Sequence, residues 1–168
     1  QALFNRLDLS KPFDDPVNEE PASTVVSVFL CPSAEIDDQS RGPTHYAGIN
    51  GENIFQPNSP QKGVLLVDRQ VRVSEITDGT VATLIVAEDS RFADGQWING
   101  RNVLAQAYEI NSPKANPAIE NDIRSEHPGG AYGLTCSGAV HFLVDDLELE
   151  VLAALCSRAG GEVTGEWQ

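Results

Sequence analysis

No stretch of this chain stays apolar for the roughly 18 residues of a membrane span, and none has the charged, apolar, then small-residue order of a secretory leader. Basic residues are scarce: 11 Lys and Arg stand against 25 Asp and Glu, for a net charge of -14. Nucleic-acid affinity rests on Lys and Arg neutralising phosphates, so a nucleic-acid partner is excluded, and an anionic membrane surface is disfavoured on the same ground. An acidic surface instead keeps the chain soluble and gathers cations, divalent ones included. Cysteine is sparse. Cys31, Cys136 and Cys156 lie far apart, without the C-x2-C spacing of a zinc ribbon. Their odd number leaves open one disulfide with a thiol left over, or three thiols. Catalytic signatures are missing too. There is no G-x-S-x-G elbow, no phosphate loop with Lys-Ser/Thr and no Asp/Asn-rich calcium loop. These absences point away from an enzyme.

What is present suits one folded domain over residues 1–168, with 40% hydrophobic and 21% charged residues. Residues 1–40 are acidic and interrupted by Pro12, Pro16 and Pro21, and read as irregular surface chain. Within them, residues 24–30 are β-branched and apolar and predict a buried strand stopped by Cys31-Pro32. Residues 35–43 and 50–62 read as polar loops. Residues 63–67 and 70–73 flank Asp68-Arg69 as a hairpin-like pair, and 83–87 form a strongly apolar central strand. Residues 92–117 are loop-rich, anchored by Trp97. Residues 131–144 predict a hairpin turning at Ser137-Gly138, with Val140 and Phe142 toward the core. The clearest helix is the last. Asp145 or Asp146 caps it, Leu147, Val151, Leu152 and Leu155 share one face with Cys156 beside them, and Gly160-Gly161 ends it. Residues 162–168 read as a loose tail. The expected class is α+β, mostly antiparallel, with long loops and one C-terminal helix.

Each candidate site residue has a functional and a structural reading. His127 in His127-Pro128-Gly129-Gly130 is either a ligand or a side chain bonded to the backbone of the following hairpin, with the glycines supplying unusual dihedrals. Ser137-Gly138 favours structure, because Ser-Gly can keep the geometry of an Asp-Gly turn but cannot stand in for a metal-binding carboxylate. On this reading His127 lies beside that turn. Asp78, followed by Gly79, and Glu88 could offer carboxylates to Ca²⁺, but Asp-Gly is more often a turn. Asp14-Asp15, Asp37-Asp38 and Asp145-Asp146 read as solvated surface or helix cap. Cys136 lies between His127 and His141 and suggests a thiol–imidazole pair, or simply a small residue beside a turn. Tyr46, Trp97, Tyr108 and Tyr132 are the aromatic groups for a solute or carbohydrate pocket. No metal or cofactor is assigned beyond the weighed Ca²⁺.

Several segments, in order, resemble one bacterial family. Leu3-Phe4-Asn5 stands where that family tends to have Leu-Tyr-Asn, and Phe29-Leu30-Cys31-Pro32-Ser33 matches its Phe-Leu-Cys-Pro-Ser. Tyr46-Ala47-Gly48 matches Asn-Tyr-Ala-Gly with His45 for Asn. Ile76-Thr77-Asp78-Gly79-Thr80 with Thr83 to Glu88 matches its Ile-Thr-Asp-Gly-Thr run, Val81-Ala82 departing from the usual Ser-Asn. Ser125-Glu126-His127-Pro128-Gly129-Gly130 and Val140-His141-Phe142-Leu143 complete the series. Nine residues after His127 come Ser137-Gly138, so the family's His-x9-Asp-Gly hallmark keeps its spacing and loses its Asp. The family is a large domain-of-unknown-function group beginning with a prepilin-type cleavage and methylation helix, once labelled a solute-binding type. The resemblance implies a pseudopilin-like head whose N-terminal helix is missing here, and export to the periplasm or cell surface after inner-membrane anchoring. It implies protein partners, its own copies or other pseudopilins, in a type II secretion or type IV pilus-like setting, and no known chemistry. Relatives commonly carry a cysteine in the N-terminal helix region, which implies that Cys31 is unpaired in this chain. Losing that helix is expected to bare apolar groups near Val26, Leu65 or Ile85. The alternative is an extracytoplasmic solute- or carbohydrate-binding module.

Overall fold

The computed structural model describes residues 2–36, 41–92, 94–116 and 121–162. The expectations for Asp37-Asp38 and for a tail over 163–168 lie outside the described residues. The elements are α1 (Glu19–Ala22), β1 (Tyr46–Glu52), β2 (Leu84–Glu88), β3 (Val103–Gln106), β4 (Gly130–Thr135), β5 (Val140–Val144) and α2 (Leu149–Leu155). The strands make one five-stranded sheet in the order β3-β1-β2-β4-β5. The apolar run after Thr83 therefore takes the central place. β2 is antiparallel to both β1 and β4, β4 is antiparallel to β5, and β1 pairs β3 in parallel. The class is α+β with a mixed sheet. No helix among the described residues is long and apolar enough to cross a membrane.

Opposed residues of an antiparallel pair share a face, and this sorts the sheet. Ala131 and Leu143 face one way with Ala47, Ile49, Leu84, Ala87 and Leu104; Leu152, Leu155 and Cys156 of α2 join the same buried cluster, as do Ile110 and Ile123. The other face carries the pairs Tyr132–Phe142, Leu134–Val140 and Gly130–Val144. There Val140 is 64% exposed and Phe142 41%, whereas Leu143 is 1% exposed. The hairpin forms at the expected place, with Gly138 at φ 91°, but its alternation is the reverse of the expected one: Leu143, not Val140 and Phe142, enters the core. The register of β5 against β4, and of β4 against β2, decides this, since a shift of one residue exchanges the faces of a strand.

Other elements differ from the sequence reading. Residues 24–30 form no strand. Val25 and Val28 are exposed, and the segment closes local turns, Phe29 N–H to Val26 O and Leu30 N–H to Ser27 O, because no neighbouring strand receives it. The hairpin over 63–73 shrinks to one bridge, Leu66–Arg69, around Asp68 at φ 56°. The amides of Gly63, Val64 and Leu65 are instead drawn to the carbonyls of Asn50 and Ile49. Gly63 is required there, since a Cβ would run into the Asn50 backbone. β3 and the last three residues of β1 arise inside segments read as loop, and the start of β1 lies in a stretch given no element. α2 starts only at Leu149 with Glu148 at its N-cap; Asp145 accepts instead from Asn111 Nδ2 at 2.7 Å.

Candidate functional site

β2 delivers Glu88 to the edge of the open face, and the chain beyond it is clipped to the segment leading to His127. Asp89 and Arg124 form a parallel bridge, Arg124 N–H donates to Glu88 O at 3.0 Å, and Ser90 N–H donates to Arg124 O at 3.0 Å. The two side chains close the clip with a bidentate ion pair, Nε to Oδ1 at 2.9 Å and Nη2 to Oδ2 at 3.0 Å, both buried. Burial pushes the Asp89 carboxyl up to about 6, against the pull of Arg124. With Arg124 fixed, His127 three positions on is brought over Glu88.

Its ring meets two groups at one nitrogen. His127 Nε2 lies 3.3 Å from Cys31 Sγ and 3.4 Å from Glu88 Oε1. Nδ1 lies 3.3 Å from Ser33 Oγ, and the ring stands edge-on to Tyr132 with centroids 5.0 Å apart. Glu88 is 1% exposed, and its Oε2 accepts from Tyr132 N–H at 2.7 Å. Cys31 is buried as well, and its N–H donates to His45 Nδ1 at 3.1 Å. Burial, reinforced by Glu88, pushes the Cys31 thiol up; burial pushes the His45 imidazole down, which keeps Nδ1 free to accept. Burial and then the Glu88 and Cys31 charges raise the Tyr46 hydroxyl. Beside this cluster is a hollow of about 390 Å³, lined by Pro32, Tyr46, Val86, Tyr132, Leu134 and Val140 among others. A hollow of about 520 Å³ beside α2 is joinery by comparison: Lys62 pairs with Glu52, and Arg158 donates to the carbonyls of Gln61 and Gly63.

The sequence candidates part company here. His127, Glu88, Tyr46 and Tyr132 come together. Contrary to the expectation, His127 neither bonds the hairpin backbone nor sits beside Ser137-Gly138; it lies at the opposite end of β4, its side chain facing Cys31, Ser33 and Glu88. Pro128 and Gly129, with φ 83°, turn the chain into β4, and Gly130 opens the strand. Ser137-Gly138 is a turn: Gly138 N–H donates to Thr135 O at 2.9 Å, and the Thr135 and Ser137 hydroxyls lie 2.8 Å apart. Asp78 does not join Glu88 in an oxygen cage. It accepts from the amides of Gly160 at 2.7 Å and Gly161 at 3.0 Å, with Gly79 at φ 96° beside it. Trp97 stacks on Phe29 and donates to Thr24 O, and Tyr108 N–H donates to Asp122; neither lines the hollow. The thiol facing His127 is Cys31, not Cys136, whose N–H bonds Thr83 O at the turn. All three cysteines are free. Cys31 was invisible as a partner because 96 positions separate it from His127.

Comparison with known proteins finds no matching curated protein and no matching solved structure. The family described as Protein of unknown function (DUF1559) does match, over residues 1–110. That stretch holds Cys31 and Glu88, covers more than half of the chain, and places the chain in that family.

Proposed function

We propose that the chain is the head domain of a pilin-like assembly subunit, an exported protein that works through protein contacts and catalyses no reaction. The supporting observation is the asymmetry of the sheet. One face is packed, while the other leaves Tyr132, Val140, Phe142 and Val144 between 41% and 64% exposed, with Leu65 at 38% and Val86 half-buried nearby. Rows of exposed apolar groups on that scale mark contact surfaces. The occupant in this reading is an apolar α-helix, the element that the resemblance to prepilin-type proteins supplies; its side-chain ridge suits a face of aromatic and β-branched groups. Such a helix anchors the subunit in the inner membrane before assembly with its own copies or other pseudopilins in a type II secretion or type IV pilus-like fibre. A second reading, an extracytoplasmic solute-binding module, draws on the hollow beside Tyr46 and Tyr132.

Hydroxyl-radical footprinting separates the two. The domain is compared alone and expressed with the gene segment immediately upstream. The assembly reading expects an apolar helix in that segment and several-fold protection of Tyr132 and Phe142 together. Absence of such a helix, or unchanged oxidation of Phe142, overturns it. Protection by an added sugar or other solute at Tyr46 and Tyr132 alone, with Phe142 still reactive, supports the second reading instead.

A further inference from the structure

We propose that Cys31, Glu88 and His127 form a binding site for a borderline-soft divalent metal ion of the zinc class, held through Sγ, Oε1 and Nε2 with its remaining position facing the hollow between Tyr46 and Tyr132. The three ligand atoms lie within 4.8 Å of one another. Zinc bonds of about 2.0–2.3 Å in tetrahedral geometry give ligand-to-ligand edges of about 3.3–3.6 Å. The observed separations from Nε2, 3.3 Å to Sγ and 3.4 Å to Oε1, have that size.

The three groups also touch one another directly, the Cys31 thiol reaching Glu88 as well as His127. One cation placed among the three atoms serves all of them. Charge points the same way. A buried carboxylate is costly unless paired or coordinated, and Glu88 is 1% exposed. A thiolate, a carboxylate and a dication sum to zero, the least costly state for a buried group of charges.

Each donor also has a neighbour that orients it, as metal ligands characteristically do. Ser33 Oγ faces His127 Nδ1 at 3.3 Å, which directs the Nε2 lone pair at the cluster. Tyr132 N–H holds Glu88 Oε2 at 2.7 Å and leaves Oε1 to the ion. His45 holds the Cys31 backbone at 3.1 Å. The donor set selects the class of metal: sulfur and imidazole suit zinc and its neighbours, whereas Ca²⁺ takes about six to eight oxygens. The net charge of -14 raises the local concentration of cations. The proposal needs no occupant on the open face and is independent of the assembly reading.

The test uses the reduced, chelator-treated chain, titrated with Co²⁺ as a spectroscopic probe and dialysed against Zn²⁺. One ion per chain is expected, with a thiolate-to-cobalt charge-transfer band and visible bands of tetrahedral intensity. Cys31→Ser, Glu88→Gln and His127→Asn, each checked for native circular dichroism, should weaken Zn²⁺ binding by more than about 100-fold, beyond what loss of an orienting neighbour alone produces. Cys136→Ser should leave it unchanged. Absence of the thiolate band in the unsubstituted chain overturns the proposal whether or not the variants fold. So does Zn²⁺ binding that survives all three substitutions, or a disulfide mapped to Cys31 in protein isolated without reductant.

Discussion

Replacing Arg124 by Met tests the clip that holds the site in place. Arg124 and Asp89 are 2% and 1% exposed and joined by two bonds near 3 Å, so the substitution strands a buried carboxylate beside Glu88. Removing one partner of such a pair costs about 3–5 kcal/mol. With a urea dependence of roughly 2 kcal/mol per M, the unfolding midpoint should fall by about 2 M. The double variant Asp89→Leu with Arg124→Met should recover most of that loss, because well-packed apolar groups can replace a buried pair at little cost. A pH dependence supplies a separate check. The folded Asp89 carboxyl is raised to about 6 from 3.8, so the native state holds this proton to higher pH than the unfolded chain and stability falls as pH rises through that window. Arg124 pulls the carboxyl down; without it the fall continues to higher pH. The deficit of Arg124→Met should therefore be larger at pH 8 than at pH 5. A loss below about 1 kcal/mol at pH 8, a deficit independent of pH, or a double variant as unstable as the single one would refute this account.

The two faces of β5 should respond oppositely to substitution: Leu143→Ala should cost about 2–5 kcal/mol, and Phe142→Ser, 41% exposed, less than half as much in the same urea titration. Equal losses would mean that the open face is not open. Cys156 is 0% exposed and burial drives its thiol far up, so iodoacetamide should label it only after unfolding. The native state keeps that proton when the unfolded chain loses it near pH 9, so stability should fall above that pH by about 1.4 kcal/mol per pH unit more than in Cys156→Ala. Parallel slopes for the two proteins would remove burial as the cause.

Local signals carried the parts of the fold that were legible in the sequence. The apolar run Leu84–Ala87 has no polar position to face water, and that sends it to the centre of a sheet. Ser137-Gly138 marks its turn because Gly138 adopts a left-handed φ. β1 gave no such sign: Tyr46–Glu52 contains two glycines and an asparagine and becomes a strand only because β2 and β3 pair with it on either side. The reverse holds for residues 24–30, whose β-branched composition favours a strand that no neighbour accepts. Which face of β5 is buried was equally closed to local reasoning, since Phe142 and Leu143 are both apolar and register alone chooses between them. For the site, His127 and Glu88 stood out within their motifs, but nothing local joins them to Cys31.

The order of the strands also governs how the molecule comes together. Only β4 and β5 are joined by a short turn; Tyr46 must find Glu88, Gly48 must find Val103 and Leu84 must find Thr135 across long intervening chain. Closing such loops costs entropy before any contact repays it, which slows folding. Cys31 and His127, 96 positions apart, meet across the same sheet. Loss of Cys31 reactivity during refolding therefore reports the closing of long-range contacts rather than of any local turn.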